Sequence, residues 1–367
     1  MPTVLLPNTS TNSLTGVTTL NQGFISHEIE DTYVTHLDLN GFCTIDNNLQ
    51  GVVGDIRRID TYTPAGVAED VAEGQGNASS ISVGLDSKEY RVKCAQAWFQ
   101  YSDEAYMRDP ISVQTGLTHL GVAMFNKVNA DIQAEWAKAY MSMSTGDSTF
   151  DFDNFVDAVS MLDVKDAAGE DALDAQKRFI PTIWAHAAKG DIAKVRKACK
   201  DQLVYVPEHA WTPGYVGDIA GVTLYYRQDL TAGVMYIGTN KAVTVFNKTG
   251  ISTEQAARAG GSTGAANTRM NDFFARKYYI AALTDATQLV QLGTAGATLH
   301  YRQSFTGDGT EDDFTATYTP GSDLAVYVNG ELKTVTTDYT VSTKTVTFTT
   351  APAAGANIVF DYSYTAS

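Results

Sequence analysis

Cysteine is scarce. Cys43, Cys94 and Cys199 are the only three in 367 residues, far apart and in no C-x-x-C pair. That excludes a disulfide framework and a cysteine-based zinc site. Three scattered thiols read as buried residues of a chain that folds in reducing cytoplasm. Positive charge is also in deficit, with 26 Lys+Arg against 42 Asp+Glu, a net −16 and a pI near 4.7. Such a balance argues against a duplex-binding protein held by phosphate contacts and against a basic membrane-surface protein. No run approaches 18 apolar residues, so no transmembrane helix is expected. The start, MPTVLLPNTSTNS, lacks a basic n-region and a long apolar stretch, so no secretory leader is expected. Histidine is sparse as well. His27, His36, His119, His186, His209 and His300 form neither H-x-x-x-H nor H-E-x-x-H. No repeat of fixed period is present.

What is present is enough apolar material, 44% with 10% aromatic, to bury a full core. Threonine divides the chain. Residues 302–367 hold 15 Thr in 66 and no Trp, Cys or Met, against 29 Thr in residues 1–301. β-Branched residues favour strands, so a boundary is expected near Leu299–Ser304. Beyond it, Leu324–Val328 runs into Asn329-Gly330, a strong hairpin signal. Further short strands are expected at Phe314–Tyr318, Glu331–Val335, Tyr339–Val341, Thr345–Thr349 and Asn357–Tyr364. Their regular spacing predicts an all-β sandwich.

The first 300 residues are mixed. Residues 1–20 form a polar arm, and Ile25, Ile29, Tyr33 and Leu37 have helical spacing. Strand-like Gly51–Thr63 and Gly84–Gln100 flank a Gly/Ala-rich acidic segment with Glu69, Asp70 and Glu73, which predicts an extended hairpin without a core of its own. Next comes the strongest helix. Asp109 suits the N-cap and Pro110 the N1 position. Leu117, Leu120, Met124, Val128, Ile132, Trp136, Tyr140 and Met143 follow at spacings of 3 or 4, with Gly146 as the stop. About 34 residues would span on the order of 50 Å, a length that needs a sheet lying along it. A shorter helix is expected over 149–163, a buried strand at Phe179–Ala187, a helix capped by Asp191 over Asp191–Gln202, and strand-rich segments at Gly217–Gln228, Val234–Phe246 and Phe273–Leu292. A small-residue loop is expected at Ala256–Thr268.

No catalytic constellation stands out. Gly260-Gly-Ser-Thr-Gly264 matches G-x-S-x-G, but its flanks lack the strand and helix of a nucleophile elbow, so a hydrolase using Ser262 is the third and weakest reading. Gly74-Gln-Gly76 lacks the third glycine of a dinucleotide fingerprint. Asp308, Glu311, Asp312 and Asp313 have no EF-hand spacing and read as a solvated acidic turn. The basic face of Lys194, Arg196, Lys197 and Lys200 reads as solvated. No catalytic residue, metal or cofactor is expected.

The order of parts resembles the major capsid proteins of tailed bacteriophages, the Hong Kong 97 fold. The resemblance is carried by Phe24–Asp46, by Gly54-Asp55-Ile-Arg-Arg-Ile-Asp60, by the acidic Ala68–Gly74, and by Lys88–Ser102 leading into Asp103, Asp109 and Leu120-Gly121. Gly217–Val222 and Thr268–Leu292 complete it, so that it covers about residues 20–295. It implies an α+β fold with an N-terminal arm (1–50), an E-loop hairpin and peripheral strand (51–100), a spine helix and peripheral domain (101–165), an axial domain (166–267) and returning peripheral strands (268–298). Residues 302–367 resemble the immunoglobulin-like surface modules appended to phage structural proteins.

The resemblance further implies a coat protein that self-assembles as hexamers and pentamers into an icosahedral shell around double-stranded DNA, without sequence-specific contacts. The virion capsid would be assembled in the host cytoplasm. Inter-subunit contacts would come from Arg57, Arg58, Tyr62, Pro64, Val67, Glu69, Asp70 and Glu73 of the E-loop and from Ile25, Ile29, Tyr33 and Leu37 of the arm. Leu117, Leu120, Met124, Val128, Ile132 and Trp136 would form the spine. The chain opens almost directly on the arm, which implies a separate scaffolding protein. A portal and decoration proteins are further implied partners, and no membrane is. Lys88 is the only lysine near the hairpin and sits at its base, so the isopeptide crosslinking of some relatives is not expected. Deletion of residues 303–367 is expected to leave assembly intact. The second reading is a phage tail-associated or cell-surface adhesin that binds through the C-terminal module.

Overall fold

The computed structural model describes residues 38–65, 82–108, 110–162, 182–201, 203–205, 214–227, 229–257 and 270–367. The arm residues Ile25, Ile29, Tyr33 and Leu37, the hairpin tip with Val67, Glu69, Asp70 and Glu73, the cap Asp109 and the Ser262 loop lie outside the described residues.

The architecture is mixed α and β. A five-stranded sheet is built on the long strand Met270–Leu283, which pairs antiparallel with Lys93–Ser102, Ser252–Ala257 and Val243–Asn247. Thr44–Asp46 adds a parallel edge. Alternation sets the two faces of Lys93–Ser102. Ala95 and Tyr101 turn inward and are buried, whereas Cys94, Gln96 and Trp98 turn outward and are exposed.

The long helix, Pro110–Trp136, lies along the inner face. Leu120, Met124, Val128, Ile132 and Trp136 are all buried there, and Leu117 is half-buried. Gly116 permits the close approach, because a Cβ at that position would meet the Phe99 ring at 2.3 Å. The helix has 27 residues, shorter than its apolar spacing predicts. Tyr140 and Met143 keep a helical interval, yet Met141–Ser144 is a strand in parallel register with Leu289–Gly293. Pairing with a strand some 150 residues distant, rather than Gly146, ends the helix.

A second sheet of six strands runs Met141–Ser144, Leu289–Gly293, Val234–Gly238, Ile183–Ala188, Val222–Arg227, Tyr215–Ile219. Ile183–Ala188 is buried throughout, as a central strand requires. Helices Phe152–Ser160 and Lys189–Ala198 cover this sheet. Asp191 does not cap its helix, since Ala188 holds that position. Its buried carboxylate instead accepts the Gly233 N–H at 2.6 Å and pairs with Lys194 at 3.0 Å.

The C-terminal residues form two antiparallel sheets over one core. One contains Thr298–Thr306, Asn357–Thr365, Ala325–Val328 and Glu331–Leu332, the other Asp313–Thr315, Thr345–Phe348 and Tyr339–Ser342. Val326, Val346, Ile358, Phe360 and Tyr362 fill the space between them. Asn329 and Gly330 both have positive φ, 52° and 82°, as a type I′ turn demands. The expected strand Glu331–Val335 is cut to two residues.

Candidate functional site

Ile56–Ala65 and Ser82–Arg91 form ten consecutive antiparallel pairs and join no other strand among the described residues. Ten residues at ~3.3 Å each make a ribbon of about 33 Å. Two strands alone are marginal in water, and both edges carry unpaired backbone groups. Among the described residues, the root is tied down. Leu49, Ile59, Tyr90 and Val92 pack on Phe246, Ile280 and Ala282, on the outer face of the five-stranded sheet. The Arg57 guanidinium stands 5.2 Å over the Phe246 ring, and Lys248 donates to the Gly54 carbonyl. Arg58 lies opposite Glu89, Tyr62 opposite Leu85 and Pro64 opposite Val83.

Apolar surface is left bare around this root. Val53 is 99% exposed, and Ile45, Val52 and Ile56 are also exposed. On the same sheet, Trp98 is 55% exposed, and Tyr278, opposite Cys94, is also exposed. Cys94 stands on this open face, contrary to its expected burial, whereas Cys43 and Cys199 are buried. Burial pushes the Cys43 thiol up to about 12.

Lys88, opposite Ile59 in the ribbon, reaches its own chain. Its ammonium lies 4.3 Å from the centre of the Tyr140 ring. Arg302 stacks on the same ring at 4.4 Å and donates to the Tyr140 hydroxyl. This cluster belongs to a polar junction, absent from the sequence expectations, between the end of the long helix and the C-terminal sandwich. Gln291 donates to the Trp136 carbonyl at 3.1 Å and accepts the His300 N–H at 2.9 Å. Ser142 donates to the Tyr364 hydroxyl at 3.1 Å. His300 places Nδ1 2.8 Å from the Ala139 carbonyl and Nε2 2.5 Å from Asp361 Oδ1. Both partners are acceptors, so the imidazolium is the form that satisfies both. Burial opposes the charge on His300, but the Asp361 and Ala139 bonds outweigh it and raise its pKa above 6.5. Burial likewise opposes the Asp361 carboxylate, and the bond from His300 outweighs it and lowers that pKa below 3.8.

The linkage follows in sign. His300 contributes fully below pH 6.5 and loses its contribution as pH rises through its raised folded pKa. Asp361 contributes above pH 3.8 and loses its contribution as pH falls through its lowered one. Charge-assisted bonds of this kind are worth about 1.5–3 kcal/mol. Wild type should therefore melt higher than His300→Gln at about pH 6, with the gap closing as pH rises above the ordinary histidine range. Calorimetry across pH checks this, and a gap independent of pH would refute the charged junction.

The junction also bears on truncation. Deletion of residues 303–367 cuts through the strand Thr298–Thr306 and removes the partners of Ser142 and His300.

Among the described residues, the remaining candidates hold no assembled chemistry. His186 is buried in an aromatic box, 4.4 Å from Phe42 and 5.1 Å from Trp136 and Trp184. Its pKa is held well below 6.5, by burial first and then by Arg227. His119 is exposed, while His27, His36 and His209 lie outside the described residues. Asp308 accepts the N–H groups of Glu311 and Thr310 at 2.6 and 2.7 Å, which closes the acidic turn on itself. Among the described residues, no three His, Cys, Asp or Glu gather to hold a metal ion. No described helix is long and apolar enough to cross a membrane.

No known protein family matches the sequence, and no curated protein does. Solved structures similar to the chain include that of Mycobacterium phage Patience, at 10% identity over 74% of this chain and 87% of that one, with a TM-score of 0.49. Gordonia phage Cozz is similar at 12% identity over 71% and 87%, with a TM-score of 0.48. The capsid of Ralstonia phage GP4 is similar at 10% identity over 68% and 86%, with a TM-score of 0.47.

Proposed function

We propose that this chain is the major capsid protein of a tailed double-stranded DNA phage, with the Hong Kong 97 architecture and an immunoglobulin-like module at its C-terminal end. It assembles as hexamers and pentamers into an icosahedral shell. The observation that carries this reading is the ribbon Ile56–Ala65/Ser82–Arg91, which has ten paired residues and no third strand among the described residues. A segment with so little core of its own gains its order from a neighbour. The helix laid along a five-stranded sheet supplies a rigid beam, and the exposed Val52, Val53, Ile56 and Trp98 supply apolar surface for contact.

In this reading the E-loop residues Arg57, Arg58, Tyr62, Pro64, Val67, Glu69, Asp70 and Glu73 lie over an adjacent subunit. Ile25, Ile29, Tyr33 and Leu37 run beneath another. The shell forms with a separate scaffolding protein and a portal, decoration proteins join it, and DNA is held by confinement.

Electron microscopy of the expressed chain, with and without a candidate scaffolding partner, tests the reading. Uniform shells of several hundred ångströms, or six- and five-fold rings, are the expected result. A stable monomer under every condition would overturn it.

The adhesin reading has one observation in its favour, a cleft in the C-terminal sandwich lined by Lys333, Thr337, Asp338, Phe348, Thr349 and Pro352. A sandwich that binds a glycan array while the full chain stays monomeric would bring that reading to the front.

A further inference from the structure

The six-stranded sheet carries both of its helices on one face. Phe155 and Ala158 of one helix and Ile192 and Val195 of the other share a single core. Phe152–Ser160 packs on Leu289–Gly293, towards one edge of the sheet. Lys189–Ala198 packs on Ile183–Ala188 and Val222–Arg227, towards the other. At a strand spacing of ~4.8 Å the two helices lie side by side, and each has a flank that the other does not cover.

Those flanks are opposite in charge. Asp151, Asp153 and Asp157 are exposed on the first, with Phe152 and Val156 36% and 44% exposed beside them. Each of the pairs 153/157 and 152/156 is spaced i,i+4, so an acidic row runs next to an apolar one. Lys189, Arg196, Lys197 and Lys200 are exposed on the second, in a chain of net −16. Of the cations on this helix, only Lys194 has an ion pair among the described residues, with Asp191. Like charges at i,i+4 repel within a helix, so each flank gains from an opposite partner. Arg196 can lie on the face of an aromatic ring, and lysine stems can cover Val156.

We propose that the acidic flank Asp151–Ser160 of one copy docks against the basic flank Lys189–Lys200 of a second copy of this chain. The contact is head-to-tail and closes rings of copies around the six-stranded sheets. It rests on the reading of the chain as a shell-forming subunit. A two-fold contact through one flank alone would set carboxylate against carboxylate or cation against cation, and the two flanks lie on opposite sides of the helix pair, so the complementary pairing is heterologous.

Charge reversal in the full chain tests the contact. R196E with K197E, or D153K with D157K, should each lower the yield of rings or shells about ten-fold or more, since opposed like charges cost several kcal/mol. Combining all four reversals should restore assembly. Melting temperature, measured for each variant, separates lost contact from lost fold. In a second measurement, V156C chains are mixed with A193C chains, both carrying C94S, and oxidised gently. The expected product is a mixed disulfide dimer.

Reversed pairs that assemble like wild type, or a mixture that gives no mixed dimer, would overturn the contact while the shell reading stands. A wild-type chain that never assembles would overturn both.

Discussion

Replacing Trp136 with alanine should cost about 3–5 kcal/mol, a large share of the total stability of an ordinary domain. Trp136 is fully buried at the last turn of the long helix. Its ring centre lies 4.8 Å from that of Trp184, 5.1 Å from His186 and 5.8 Å from Tyr236. Those three belong to the six-stranded sheet, whereas the helix lies along the five-stranded one. The indole therefore sits where the two sheets meet, and neither can move in to fill its place without leaving its own core. The effect should fall near the upper end of the range for that reason. The Gln291 bond to the Trp136 carbonyl is a backbone contact and survives the substitution, so the loss isolates the ring. Denaturant unfolding followed by circular dichroism measures it. Trp136→Phe should lose less, because part of the aromatic packing remains. A loss below about 1 kcal/mol for the alanine variant would show that the ring does not join the two sheets.

Excising residues 60–87 and closing Ile59 to Lys88 with a short Asn-Gly turn should leave the fold in place and abolish shells. The retained pairs, Ile56–Ile59 with Lys88–Arg91, include Ile59 and Tyr90, which anchor the root on Phe246 and Ile280. Beyond them the ribbon has no third strand among the described residues. Melting temperature should then change little, while particle yield by electron microscopy should drop to background. The opposite pattern, a collapsed melting temperature with shells still forming from the remaining folded chain, would mean that the ribbon stabilises its own subunit rather than its neighbour. Wild-type shells from the excised chain would remove the ribbon from the assembly mechanism altogether.

Some features were legible because their causes are local. The apolar spacing from Leu117 to Trp136 needs only the 3.6-residue turn, and those residues are the ones on the buried side. Asn329-Gly330 needs only two residues that tolerate positive φ, and the turn stands there. The short strands of the sandwich were legible from alternation and turn residues, apart from the shortened Glu331–Leu332, whereas the strand-like Gly84–Gln100 divides at Val92 into the ribbon strand Ser82–Arg91 and the sheet strand Lys93–Ser102.

The misplaced features depend on partners far away in sequence. Tyr140 and Met143 continue a helical interval, yet backbone pairing with Val290–Gly293 turns Met141–Ser144 into a strand. Asp191 has the chemistry of a cap, but the Gly233 N–H, 42 residues away, takes its carboxylate. Cys94 looked like a buried thiol, and alternation with Ala95 turned it outward, a signal present in the sequence but outweighed by the residue's usual habit.

Sequence by itself determined the helical period from Leu117 to Trp136, the division into a mixed body and a threonine-rich β tail, and the acidic balance. Each of these follows from residue chemistry within one or two turns of chain. Tertiary structure alone decided where the long helix stops and which face of each sheet stays open. It also decided that His300, from an ordinary strand, meets Ala139 and Asp361 at the junction, 161 and 61 residues away. A hydrogen bond or a strand pair is specified by geometry at contact, and no local pattern encodes which distant group will arrive there.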